Sequence, residues 1–150
     1  MKYSFNLVEA PWLPCVDPGG RTAELGLREC LLRAHEFREL ADPSPLVTCA
    51  LHRLLLAILH RAFDGPEDVS QWKSIWQRGK FDPEVIEVYL DRWKERFDLF
   101  HPERPFYQDV GVNKESTSSI ARLVQEVSSG NNPTLFDHTM DIKPAHAAPS

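Results

Sequence analysis

At 150 residues, 42% hydrophobic and 26% charged, the chain suits one domain. A globular chain of this length buries roughly 70% of the surface its unfolded form exposes, so a core needs neither disulfides nor a metal. Lys and Arg number 17 against 22 Asp and Glu, a formal net charge of -5. That balance excludes an autonomous basic nucleic-acid-binding domain, whose affinity comes largely from neutralising phosphates. Any contact with nucleic acid would be local, with partners supplying most of the positive charge.

In chain order, Tyr3 to Val8 alternates in polarity and is predicted as a strand, not the apolar run of a signal peptide. Trp12–Val16, the turn Asp17-Pro18-Gly19-Gly20 and Arg21–Leu25 read as a β-hairpin. Pro11 and Pro14 lack an N–H, which predicts a sheet edge for this ribbon. Leu27 to about His35 is a short helix with Leu27, Cys30, Leu31 and Ala34 on one face. Ser44-Pro45 then caps and opens a long helix to Phe63, whose apolar positions cover more than half its circumference. Such a helix is expected to be buried on several sides. His52, Arg53, His60 and Arg61 argue for a core helix over a membrane span, since mid-span charges cost about 2.5–3.5 kcal/mol each.

Gly65-Pro66 breaks the pattern before a helix carrying Val69, Trp72, Ile75 and Trp76, which Gly79 ends. Asp82-Pro83 opens the next, with Val85, Val88, Tyr89 and Trp93 as its expected inner stripe. The segment from Phe97 to Gln108, dense in aromatics and carrying Pro102 and Pro105, is expected to be packed although irregular. A helix is predicted from about Thr117 to Val127, then a turn over Ser128–Pro133 and an extended piece over Thr134–His138. From Asp141 the sequence turns Pro/Ala-rich, and residues 139–150 are expected to form a disordered tail. Cys15, Cys30 and Cys49 form an odd set without a CxxC pair, which points to free thiols in a reducing cytoplasm.

Candidate chemistry is sparse. His52 and His60 lie eight apart on one helix, whereas a zinc pair sits four apart with a third ligand nearby. His138 and Asp141 form a candidate metal or base–acid pair that nothing else in the sequence completes. No G-x-S-x-G elbow, Walker loop or G-x-G-x-x-G is present, so no catalytic role and no cofactor are expected. The tryptophans Trp12, Trp72, Trp76 and Trp93 follow helical spacing and are expected in the core rather than as base-stacking platforms. Phe136 differs, because it follows the polar turn Gly130-Asn131-Asn132-Pro133. With Asn131, Asn132, Thr134 and His138 it offers groups suited to RNA backbone and base edges. A turn that merely links two elements fits the same residues.

Several long blocks resemble the CasA family, the large subunit of type I-E CRISPR Cascade complexes. They are Asn6-Leu7 with Pro11-Trp12-Leu13-Pro14, Phe37–Leu40 with Pro43–Val47, Ala50–Leu59, Phe97–Phe100 with His101–Phe106, and Ser129–His138. The resemblance implies a non-catalytic subunit at the foot of an RNA-guided surveillance complex. Such a subunit contacts the 5′ handle of the CRISPR RNA and other Cascade subunits, and reads the protospacer-adjacent motif on target double-stranded DNA. It then helps recruit a helicase–nuclease in antiviral defence. By resemblance, the nucleic-acid-binding role falls on Asn131, Asn132, Phe136 and His138. Family members are several times longer, and their motif-reading glycine loop, lysine and glutamine lie downstream of this sequence. The expected fold is thus α+β, mostly helical with a small N-terminal β-hairpin or sheet. Residues 1–138 would be the incomplete N-terminal part of a larger domain. Two rival functions are a metal-dependent nuclease using His138 and Asp141, and a protein-interaction module without nucleic-acid contact.

Overall fold

The described chain opens on a turn. In the computed structural model, which describes residues 3–112, the side chain of Asn6 accepts from the amide of Val8 at 3.0 Å. The Asn6 carbonyl accepts from the amides of Glu9 and Ala10. This Asx-type turn bends the segment predicted as a strand, leaving a single bridge between Asn6 and Asp98. Residues 1–110 form one compact unit and 111–150 a second.

β1 (Leu13–Val16) and β2 (Thr22–Leu25) pair antiparallel, Leu13 opposite Leu25 and Val16 opposite Thr22. The turn between them closes with Gly20 at φ +83, a conformation glycine adopts without steric cost. The Asp17 carboxylate accepts from the Arg21 amide at 2.9 Å. β3 (Glu39–Leu40) pairs with Cys15 and Val16, so the strand order is β2-β1-β3 and β1 lies in the middle. This corrects the edge position expected from Pro14. The Pro14 carbonyl accepts from the Ala41 amide where β3 ends, so the missing Pro14 donor falls beyond the pairing.

α1 (Leu27–Leu32) starts at Gly26, which has no side chain to cap it. Backbone carbonyls serve instead: Leu7 accepts from the Leu27 amide at 3.0 Å and Val8 from the Arg28 amide at 3.1 Å. A Cβ on Gly26 would lie 2.5 Å from the Val8 carbonyl oxygen, so this approach requires glycine.

α2 (Pro45–Phe63) begins at Ser44 in extended conformation, but the Ser44 side chain makes no capping bond. Asp42 accepts from the Ser44 amide instead. The helix ends at Asp64 in the left-handed region, one residue before the expected glycine. α4 (Pro83–Trp93) starts as predicted from capping chemistry, with Asp82 accepting from the Glu84 amide, and α3 (Val69–Gln77) has a cap the sequence reading did not name, Asp68 accepting from the Gln71 amide.

The core gathers Leu7, Val8, Leu13, Leu25, Leu27 and Leu31 with Ile86, Leu90 and Phe97. α2 contributes only Leu51 and Ile58 in full, so the expectation of a helix buried on several sides fails among the described residues. Leu46, Val47 and Leu56 stand exposed. By length and apolar content α2 also meets the requirement for a membrane span, against which Arg53 and Arg61 weigh. The inner stripe of α4 is Ile86 and Leu90; Val85 and Tyr89 are half-buried, while Val88 and Trp93 are exposed. The helix is rotated by about one residue from the predicted face because it docks on α1, where Arg28 reaches Glu87 and Asp91.

The irregular segment after α4 is packed in part, with Phe100 and Tyr107 left exposed. Phe97 is buried and stacks on Phe106 at 5.4 Å, and Leu99 and Phe106 lie against the core. The predicted helix over 117–127, the piece over 134–138 and the tail 139–150 lie outside the described residues.

Candidate interaction surfaces

The sequence placed the nucleic-acid contact on Asn131, Asn132, Phe136 and His138, and a rival metal pair on His138 and Asp141. All of these lie outside the described residues. His52 and His60 are both exposed, and His52 Nδ1 lies 2.8 Å from the Thr48 carbonyl of its own helix. Among the described residues no group of three or more His, Cys, Asp or Glu is placed to hold a metal. Cys15 and Cys30 lie with their sulfurs 3.7 Å apart in the core, and Cys49 is exposed. The hydrogen bond with Cys15, reinforced by burial, pushes the Cys30 thiol well above the ordinary thiol range. The same hydrogen bond lowers the Cys15 thiol below its ordinary value, against the effect of burial.

Three features position the interior and limit where function can sit. Arg28, with its side chain 19% exposed, joins Glu9, Glu87 and Asp91, and Lys94 adds a second cation on Glu9. Lys94 and Arg28 hold the Glu9 carboxyl below its ordinary value. Asp98 receives the Ser4 hydroxyl and the amides of Phe5 and Phe100. Although burial opposes ionisation there, these donors keep Asp98 below the usual carboxylate range. Finally, backbone bonds from Leu7 to Phe97 and from Leu99 to Phe5 tie the first residues to the segment after α4.

Two surface depressions carry side chains outside these three features. The first is an apolar groove of about 650 Å³ between the C-terminal half of α2 and α3, lined by Leu56, Leu59, Phe63, Trp72, Ile75 and Trp76. Trp72 and Trp76 lean on each other at 5.8 Å and are 48% and 73% exposed. This overturns their expected place in the core: α3 buries no residue fully, so its tryptophans face outward. The second depression lies where α2 ends, beside α4 and the loop after it. Arg61, Tyr89, Trp93, Arg96, Arg104 and Tyr107 line it, together with Phe97, Pro105 and Phe106.

The sequence reading missed this second group because its members are spread from residue 61 to residue 107. One signal was present: arginine recurs beside an aromatic at Arg92-Trp93, Arg96-Phe97 and Arg104-Pro105-Phe106-Tyr107. Only the fold brings these to one surface.

The sequence profile of "CRISPR-associated protein Cse1" matches residues 6–150. The "CRISPR-associated protein CasA/Cse1" of Thermus thermophilus is 51% identical over 140 residues, covering 91% of this chain and 27% of that protein. The solved Thermus thermophilus CasA (Cse1) superposes with a TM-score of 0.70 at 46% identity, over 77% of this chain and 24% of its own. A chain of a solved CRISPR RNA-guided surveillance complex superposes with a TM-score of 0.76 at 34% identity, over 95% of this chain and 31% of its own. The chain thus spans about a quarter to a third of the length of these relatives. With a family match over nearly its whole length, the chain belongs to the CRISPR-associated protein Cse1 (CasA) family.

Proposed function

We propose that this chain is a non-catalytic segment of the large subunit of a CRISPR RNA-guided surveillance complex, Cascade, acting in the prokaryotic cytoplasm. One observation carries the reading: 95% of the chain follows the backbone of a chain in such a complex, at 34% identity. In this role it contributes contact with the 5′ handle of the CRISPR RNA, recognition of the protospacer-adjacent motif on target double-stranded DNA, and assembly with other Cascade subunits and the recruited helicase–nuclease. Asn131, Asn132, Phe136 and His138 are the residues proposed to meet nucleic acid, through amide hydrogen bonds and ring stacking.

The test pairs two measurements on Asn131→Ala/Phe136→Ala. Target-duplex capture by complexes assembled with the full-length subunit should weaken, while the melting temperature of the 150-residue chain stays near wild type. Normal capture would reduce the loop to a connector, and an unfolded chain would make Phe136 a core residue.

A second reading, a protein-interaction module without nucleic-acid contact, is favoured by one observation, the outward-facing Trp72 and Trp76 on the α2–α3 groove. Trp76→Glu should then abolish docking into the complex while Asn131→Ala/Phe136→Ala leaves capture untouched.

A further inference from the structure

We propose that the depression between the end of α2, α4 and the Arg104–Tyr107 loop binds a short stretch of single-stranded nucleic acid. Arg61, Arg96 and Arg104 would take phosphates, and Trp93 and Tyr107 would stack on bases. The site is separate from the Asn131–His138 loop, and the inference holds whether or not that loop touches RNA.

Charge is the first argument. Of the ten arginines within residues 3–112, Arg21, Arg28, Arg33, Arg38 and Arg78 make ion pairs with described residues. Arg53, Arg61, Arg92, Arg96 and Arg104 make no ion pair among the described residues, and four of these five fall on or beside this one depression. Its lining includes no carboxylate. Asp82 and Glu84 line the neighbouring hollow along α4, which shares Arg61, Tyr89 and Trp93 with this depression and which Arg92 also lines. In a chain of net charge -5, a cluster of guanidinium groups without an ion-pair partner among the described residues is a local seat for an anion.

The aromatic arrangement identifies the kind of anion. Three rings climb from the core to solvent: Phe97 is buried, Phe106 stacks on it at 5.4 Å, and Tyr107 leans on Phe106 at 5.8 Å. Tyr107 is 96% exposed and sits at φ +58, a conformation bulky residues rarely adopt. A ring held open to water on a strained backbone is characteristic of ligand-contact positions. Trp93 adds a second accessible ring, with the Arg92 guanidinium 5.4 Å from its centre. An acidic peptide would use the arginines and leave both rings idle. Phosphates joined to flat bases use both, and only an unpaired strand can offer its bases to rings.

RNA and DNA strands share this chemistry, so the experiment includes both. The full 150-residue chain is titrated against fluorescent short oligouridylate and oligothymidylate, read by anisotropy at several salt concentrations. Polyglutamate serves as the competitor without bases. A dissociation constant of roughly 10⁻⁴–10⁻⁶ M is expected near physiological salt. Three neutralised phosphates predict a log–log salt slope of about -2. Arg96→Ala/Arg104→Ala should cut that slope to about -0.7. Tyr107→Ala should weaken binding about fivefold or more, and Tyr107→Phe should not. Arg53→Ala, remote from the depression, is the control and should change nothing. Whichever oligonucleotide binds more tightly identifies the strand.

Three outcomes would overturn the proposal: no binding of either oligonucleotide at low salt, binding that ignores all of these substitutions, or displacement by polyglutamate combined with indifference to Tyr107→Ala. Melting of each variant by circular dichroism keeps loss of binding distinct from loss of fold. Because the measurement needs no assembled complex, its failure would leave the Cascade reading to its own test.

Discussion

Arg28 is the residue on which three parts of the molecule meet. Its guanidinium bonds Glu9 at 3.1 Å and Asp91 at 2.7 Å, and reaches Glu87 as well, so it joins the N-terminal turn and α4 to its own helix. Arg28→Ala would leave three carboxylates facing one another, and a loss of about 1.5–3 kcal/mol is expected in denaturant unfolding. Glu9 in this cluster and Asp98, held separately by Ser4, Phe5 and Phe100, set an acid dependence. The Glu9 and Asp98 carboxyls are depressed in the folded state, so their contribution is present above the unfolded carboxylate value, about pH 4–4.5. It is lost as pH falls through the depressed folded values. Lys94→Met should flatten the Glu9 part of that dependence in melting curves taken across this range. Gly26 is constrained by space: its Cβ position lies 2.5 Å from the Val8 carbonyl oxygen and 2.9 Å from the Glu9 carbonyl carbon, and backbone cannot swing aside as a side chain can. Gly26→Ala should cost about 1–3 kcal/mol in the same unfolding assay.

Among the elements, α4 separates what periodicity can and cannot decide. Ile86→Ala or Leu90→Ala, both at completely buried positions, should destabilise by about 2–5 kcal/mol, and Val88→Ala, at 63% exposure, by less than about 0.5 kcal/mol. Equal effects at Ile86 and Val88 would return the helix to the face its spacing first indicated. The Asp82 cap, the proline starts and the Pro-Gly-Gly turn were legible because they act over two or three residues. The burial of Leu27, Cys30 and Leu31 was legible from helix pattern in the same way. The rotation of α4 was not, because Val85, Tyr89 and Trp93 make as regular a stripe as Ile86 and Leu90, and the choice falls to Arg28 on another helix. Trp72 and Trp76 misled for a related reason: a spacing of four puts two rings on one face without saying what that face meets. The arginines of the proposed strand-binding site were invisible for want of proximity in sequence, whereas the family resemblance was readable because its blocks are contiguous.

For the molecule as a whole, the apolar area of α2 and α3 left in solvent governs behaviour. Leu46, Leu56, Trp72 and Trp76 are each at least 48% exposed, more apolar surface than an isolated chain usually shows. Self-association at moderate concentration is expected by sedimentation, and Trp76→Glu should reduce it without lowering the melting temperature. A monodisperse wild-type monomer at high concentration would show that this face is not adhesive. The N-terminal clamp has a different consequence, one of timing. Leu99 donates to the Phe5 carbonyl and Leu7 to the Phe97 carbonyl, so the first turn is completed by residues some ninety positions later. At synthesis rates of about 5–20 residues per second, a growing chain waits on the order of 5–20 s between making one half of that clamp and the other. The β1–β2 hairpin and α1 can assemble early in this interval, whereas Leu7 and Val8 must remain without Phe97 and α4 above them until its end.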